Sequence, residues 1–248
     1  MNNLDFTGMN TTVADKLSPM VTELVRVHGA NLHSFHVTGS AVISDYNEKL
    51  SDINSLVVLH AMDLKFVEFL APLGEKYGRK RIAAPLVMTP EYIKGSLDAF
   101  PVEFLDFKLI HKTVFGNDLL KDLQIMDHNL RLQCEREIKS KLINLRQGYI
   151  TSLGKRKPLT EVLVRSITGS MPVFRAIILV LGAQPPISRQ DVLKAVGMAA
   201  NIETGVFEEL LALKAGLIKP SEQELHALFE RYYAALDAAG KIIDGHHV

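Results

Sequence analysis

The chain has 248 residues, 47% of them hydrophobic and 23% charged, with 28 basic balanced by 28 acidic side chains. Zero formal charge removes the cationic surplus that nucleic acid or an anionic membrane surface requires. The single cysteine excludes an internal disulfide and fits a reducing cytoplasm. Residues 1–16 lack a basic-then-apolar leader, and no run approaches the ~20 apolar residues of a membrane span. The expectation is therefore a cytoplasmic protein with no membrane partner, long enough for two domains of ~100–200 residues.

Apolar positions from Val13 to Val27 recur at helical spacing and predict a helix over residues 11–28, with Gly29 as its stop. Residues 34–38 alternate, are partly β-branched, and run into Gly39-Ser40, which predicts a strand ending in a tight turn. A polar loop over 41–50 leads to a second strand over 53–60. An amphipathic helix over 64–77 and a third strand over 82–88 follow. Thr89-Pro90-Glu91 opens a short helix, with proline at its first position. Residues 101–108 read as a fourth strand.

Beyond about residue 119 no strand pattern remains. Residues 130–150 carry a stripe of Leu130, Cys134, Ile138, Leu142, Leu145 and Tyr149, one buried helix face. Further helices are expected over 159–181, 189–198, 204–215 and 221–242, punctuated by Pro185-Pro186 and Lys219-Pro220. The fold class is α+β: a small mixed twisted sheet with helices over residues 1–118, then an all-α bundle over 119–248.

The chemistry concentrates where Gly39-Ser40 is followed, after eleven intervening residues, by Asp52-Ile53-Asn54. Glycine lets backbone N–H groups approach phosphates closely, and serine adds a hydroxyl. Mg²⁺ takes hard oxygen ligands, commonly one or two carboxylates with phosphates and water. Residues two apart on a strand share a face, so Asp52 and Asn54 project together. Glu103 and Asp106, on the expected fourth strand, are placed to add a third acidic group.

This arrangement resembles the polymerase-β-like nucleotidyltransferases, and among them the aminoglycoside nucleotidyltransferase branch. Their signature is Gly-Ser, a loop of about ten residues, and Asp-x-Asp or Asp-x-Glu in an apolar strand. The likeness covers residues 35–108 and extends to the helical half by architecture alone. It implies transfer of a nucleoside monophosphate from a Mg²⁺-bound nucleoside triphosphate to a hydroxyl of a small-molecule or protein acceptor. On that reading Gly39 and Ser40 hold the phosphates, Asp52 and Asn54 meet metal, and Glu103 is the third metal-binding carboxylate and base, with Asp106 in reserve. Asn54 departs from the family: a neutral carbonyl stands where an anion is usual, so a weakened Mg²⁺ site is expected. The alternative is a nucleotide-binding or regulatory relative that has lost turnover.

Residues 131–157 hold eight basic and two acidic side chains, net +6 (8 minus 2). A solvated helix face explains this simply, and Lys155 in the following turn is the candidate for neutralising triphosphate. Tyr149 alone among aromatic residues interleaves with these charges, which argues against single-stranded nucleic acid. His33, His36 and His60 flank the motif without His-x-x-x-His or Cys-x-x-Cys spacing, so no zinc site is expected. His246-His247 reads as a tail. The apolar segments within 162–181 fit either a bundle core or a homodimer face.

Overall fold

The computed structural model describes residues 4–49 and 51–246. Leu50, at the end of the expected loop, and His247 lie outside the described residues. The chain divides into two compact units, one ending at Gln124 and the other beginning at Ile125.

The first unit opens with α1 (Thr11–His28), capped by the Asn10 side chain, which accepts from the Thr12 N–H. Four strands follow: β1 (Leu32–Thr38), β2 (Asn54–Leu59), β3 (Leu86–Met88) and β4 (His111–Gly116). Their order in the sheet is β3-β2-β1-β4. β1 runs antiparallel to both β2 and β4, whereas β2 and β3 are parallel and joined through α2 (Leu64–Gly78). A parallel pair needs such a crossover, so the amphipathic run after β2 belongs to a helix.

Helices α1 and α2 place Leu17, Val21, Leu24, Phe66 and Leu70 in one core with Phe35, Val37, Ile53, Val57 and Leu59 of the sheet. By strand alternation, Ser34, His36 and Thr38 face the other side of β1, where they are also buried. β1 is therefore covered on both faces and carries a polar set on one of them.

The region after β3 corrects the sequence expectation. Thr89 caps α3 (Pro90–Gly95) as expected. Residues 101–108, expected as a strand, instead form α4 (Pro101–Leu109), and the fourth strand is β4, immediately after it. Val102 and Phe104 alternate as in a strand, but Leu105 is also buried, which is helical spacing. Pro101 sits in the first turn, where its missing N–H costs nothing, and Glu103 there complements the helix dipole. Lys108 closes the helix end by donating to the Leu123 carbonyl at 2.7 Å.

The second unit is built of helices, with no strand among its described residues. Its longest helix, α5 (Asp127–Ser152), buries Leu130, Cys134, Ile138, Leu142 and Leu145. It packs against α6 (Arg156–Ile167), α7 (Ser170–Val180) and α10 (Glu222–Asp244). The helix expected over 159–181 is two helices, because Gly169 takes φ +74° between them. Helices α8 (Arg189–Ala200) and α9 (Gly205–Lys214) pack on α7 and α6 respectively. Val173, Phe174, Ile177 and Ile178 are buried within this unit, so the apolar 162–181 segment serves as bundle core. Among the described residues no single helix is long and apolar enough to cross a membrane.

Much of the basic run is engaged locally. Arg131 and Lys139 pair with Glu135, Lys141 donates to the Ser166 carbonyl, Arg146 to the Tyr233 hydroxyl, and Arg156 to the Pro220 carbonyl. The Glu135 pairs lie within α5, whereas Lys141, Arg146 and Arg156 link separate elements of the unit.

Candidate nucleotide site

The candidate site is set by strand register. Thr38, the last residue of β1, pairs with Asn54, the first of β2, and on its other side with His111 of β4. The chain leaves β1 through Gly39 into a single 3-10 turn, Gly39–Val42. Gly39 has φ +69°, a backbone state that costs an L side chain about 1–2 kcal/mol. A Cβ there would lie 3.9 Å from Asn54 Nδ2, so backbone conformation rather than lack of space demands glycine. The Gly39 N–H donates to the Ile110 carbonyl, and the Ile43 N–H to that of Ser40. Ala41 is buried and anchors the turn from beneath.

Asp52 and Asn54 are exposed and alternate with buried Ile53 and Ser55. The shared outward face expected from their spacing is thus present, beside the Gly39 turn. Asp52 does not stand alone there. Its carboxylate lies 3.1 Å from Arg81 Nη2, while Arg81 Nε donates to the Ser51 carbonyl at 3.1 Å. The Arg81 carbonyl accepts from the Ile53 N–H at 2.8 Å. Arg81 makes these contacts from φ +62°, a strained state for a residue with a long side chain. It therefore grips the approach to β2 at three consecutive residues, Ser51, Asp52 and Ile53. With Asp52 59% and Arg81 41% exposed, the ion pair is screened by water and adds little stability. Its consequence is local charge: a cation is fixed beside the carboxylate that the sequence expectation assigned to metal.

The expected third carboxylate is displaced. Glu103 lies in the first turn of α4 and is exposed, with Asp106 one turn further along the same helix. None of the four strands carries Asp or Glu, and β3, the neighbour of β2, is Leu86-Val87-Met88. Asp52 and Asn54 themselves offer one carboxylate, paired with arginine, and one neutral amide. Those two alone do not match a two-Mg²⁺ centre, which needs anionic oxygens to hold two cations together. Lys155 belongs to the second unit, where it is the exposed N-cap residue of α6.

A polar group missed by sequence spacing lies on the β1–β4 side. His36, fully buried, contacts Ser34 Oγ through Nε2 at 2.8 Å and Thr113 Oγ1 through Nδ1 at 2.9 Å. His111 Nδ1 contacts the Phe107 carbonyl at 2.7 Å, and its Nε2 lies 3.0 Å from Asp118 Oδ1. Burial, then the neighbouring His111 charge, pushes the His36 pKa down to about 4. Burial works to raise that of Asp118, but the His111 contact and the Lys121 and Leu120 N–H groups outweigh it and hold the carboxyl below its ordinary value. Positions 36, 111 and 118 have no local spacing to betray them; only the β1–β4 register unites them. Arg81 escaped notice for the same reason, since it lies some thirty residues from the carboxylate it holds.

No protein-family model and no curated protein sequence matches this chain. Among solved structures, the chain is similar to spectinomycin adenyltransferase AAD(9) from Enterococcus faecialis, solved with ATP and spectinomycin. The match has 14% identity and a TM-score of 0.46, and covers 90% of this chain and 99% of that one. A nucleotidyltransferase-like protein from Exiguobacterium sibiricum 255-15 matches at 13% identity and a TM-score of 0.39, covering 92% of this chain and 77% of that one. Similarities this distant leave the assignment of activity to the residues themselves.

Proposed function

We propose that this chain binds a nucleoside triphosphate at the Gly39–Asn54 edge of its sheet, in the manner of a nucleotidyltransferase whose turnover has been lost. One observation carries the reading: the Thr38–Asn54 pairing sets the positive-φ turn at Gly39-Ser40 against an outward polar pair, Asp52 and Asn54, with Arg81 attached. The turn offers backbone N–H groups and the Ser40 hydroxyl to phosphate oxygens, and the guanidinium offers planar, charge-assisted donors. Mg²⁺ arriving with the nucleotide would meet Asp52 only after Arg81 yields it.

Transfer of the nucleoside monophosphate to an acceptor hydroxyl, on a small molecule or a protein, is the second reading. The shared exposed face of Asp52 and Asn54 favours it, and it requires Glu103 to act from α4. Calorimetric titration of ATP and GTP, with and without Mg²⁺, separates the two when combined with a pyrophosphate-release assay. Binding without Mg²⁺ and no pyrophosphate supports the first. Binding only with Mg²⁺, abolished by Asp52→Ala, supports the second. A folded sample that binds neither nucleotide would overturn both.

A further inference from the structure

We propose that His36, His111 and Asp118 form a binding site for one divalent ion of the zinc type, separate from the Gly39–Asn54 edge. A ring nitrogen of each histidine and a carboxylate oxygen of Asp118 lie within 4.8 Å of one another. Two imidazoles and one carboxylate are donors that suit Zn²⁺ far better than Mg²⁺ or Ca²⁺.

The decisive contact is His111 Nε2 to Asp118 Oδ1, at 3.0 Å. On the opposite side of the ring, His111 Nδ1 faces the Phe107 carbonyl, a group that can only accept. A neutral imidazole donates from one nitrogen only. A single proton satisfies one side only: on Nε2 it leaves the Nδ1 lone pair against the Phe107 carbonyl, and on Nδ1 it leaves the Nε2 lone pair against a carboxylate oxygen, a contact that a cation between the two relieves. A second proton or a metal ion can fill that role. Donating Nδ1–H to a backbone carbonyl while Nε2 ligates is the usual outer-shell arrangement of a metal-binding histidine.

His36 supplies the third donor. It is fully buried, and neutral at ordinary pH because burial disfavours its charged form. One ring nitrogen can ligate while the other keeps its bond to Ser34 or Thr113. Ligands about 2.0–2.2 Å from a tetrahedral Zn²⁺ lie about 3.3 Å from each other. His111 and Asp118 already stand near that separation, so closure asks the three groups to contract by about 1.5 Å at most. Asp118, with a side chain 32% exposed against 9% for His111, is the most open of the three, which gives an ion a way in and leaves a coordination position for water or another ligand.

The test is a Co²⁺ titration of the chelator-treated full chain, followed by visible absorption, with Zn²⁺ competition and melting curves. The expected result is one Co²⁺ per chain with tetrahedral-type absorption, displaced by Zn²⁺, and a melting temperature raised by Zn²⁺. Asp118→Asn retains an oxygen for the Leu120 and Lys121 N–H groups and should fold. It and His111→Gln should each weaken binding at least ~100-fold, as loss of a ligand should exceed the ~10–100-fold cost of outer-shell changes. His60→Ala, which removes the neighbouring His33–His60 ring pair, should leave binding intact. No cobalt spectrum from the parent chain overturns the proposal and leaves a proton in the His111–Asp118 contact. Unchanged affinity in Asp118→Asn and His111→Gln overturns it as well, by placing the ion elsewhere.

Discussion

Arg81 Nη2 lies 3.1 Å from the carboxylate of Asp52, and the same guanidinium donates through Nε to the carbonyl of Ser51. A cation therefore occupies the space beside the acidic residue of the Asp52-Ile53-Asn54 segment. If it serves phosphate in place of a metal, the variants order themselves without ambiguity. Arg81→Ala should weaken Mg²⁺-free nucleotide binding by about 10–100-fold, the worth of one charge-assisted contact of about 1.5–3 kcal/mol. Asp52→Ala should hold or improve it, because the guanidinium is released from its carboxylate. Asn54→Asp should lower affinity without Mg²⁺ and raise it with Mg²⁺. Calorimetry on the three variants reads all of this, and a loss of binding in Asp52→Ala equal to that in Arg81→Ala would sink the ordering.

Gly116 ends β4 at φ +76°, opposite Ser34 of β1. A Cβ built there would stand 2.0 Å from the His33 carbonyl oxygen and 2.9 Å from Ser34 Cα, both backbone atoms that cannot swing aside. Gly116→Ala is expected to cost about 3 kcal/mol or more, combining the left-handed penalty of about 1–2 kcal/mol with overpacking of about 1–3 kcal/mol. Urea denaturation checks it. A midpoint within error of the parent would mean that β4 can slide away from β1 at little cost.

The sequence was legible where one local period dominated. Residues 11–28 and 64–77 show a single apolar stripe, and both fold as helices with those stripes buried. The two strands around Gly39 and Asn54 were also readable, because β-branched runs end in unmistakable turn chemistry. Residues 101–108 misled because Val102 and Phe104 satisfy a period of two as well as a helix. Only Leu105 and the proline at the first turn favour the helix. That error carried Glu103 onto a strand it does not occupy. The break between α6 and α7 was hidden for a simpler reason: one glycine within a long apolar run is weak evidence until its φ is known. Arg81 and the His36, His111 and Asp118 group depend on contacts between distant strands, which no local spacing encodes.

In the helical unit, Arg175 is the one charged side chain that is buried among the described residues. Its Nε and Nη2 donate to the carbonyls of Pro186 and Ile187, at 3.2 and 2.8 Å. The arginine thus fastens the Pro185-Pro186 connection to α7, just ahead of α8. Arg175→Met keeps the length of the side chain and removes the donors. Because the two carbonyls lie near the surface and can turn to water, the expected loss is about 1–3 kcal/mol rather than a full buried-ion penalty. Hydrogen exchange should quicken first at the start of α8, around Val192. Uniform acceleration across the unit instead would show that Arg175 supports the whole bundle.

Cys134 lies fully buried on the inner stripe of α5, and burial, with the Glu137 charge second, pushes its thiol from 9.0 up to about 12. The thiolate is the reactive form, so alkylating reagents should label the native chain near pH 8 only through unfolding. The same shift makes stability fall in alkali. Below pH 9 the thiol is protonated in both states and its contribution is complete. As pH climbs from 9 toward 12, the unfolded chain releases this proton while the folded chain keeps it. Unfolding therefore gains ground through that window, by an amount on the order of a few kcal/mol. Lysines and tyrosines titrate there too, so the readout is a difference: the urea midpoint of Cys134→Ala should fall less between about pH 8 and about pH 10.5 than that of the parent. Parallel falls in the two proteins would show that the thiol takes no part in the alkaline transition.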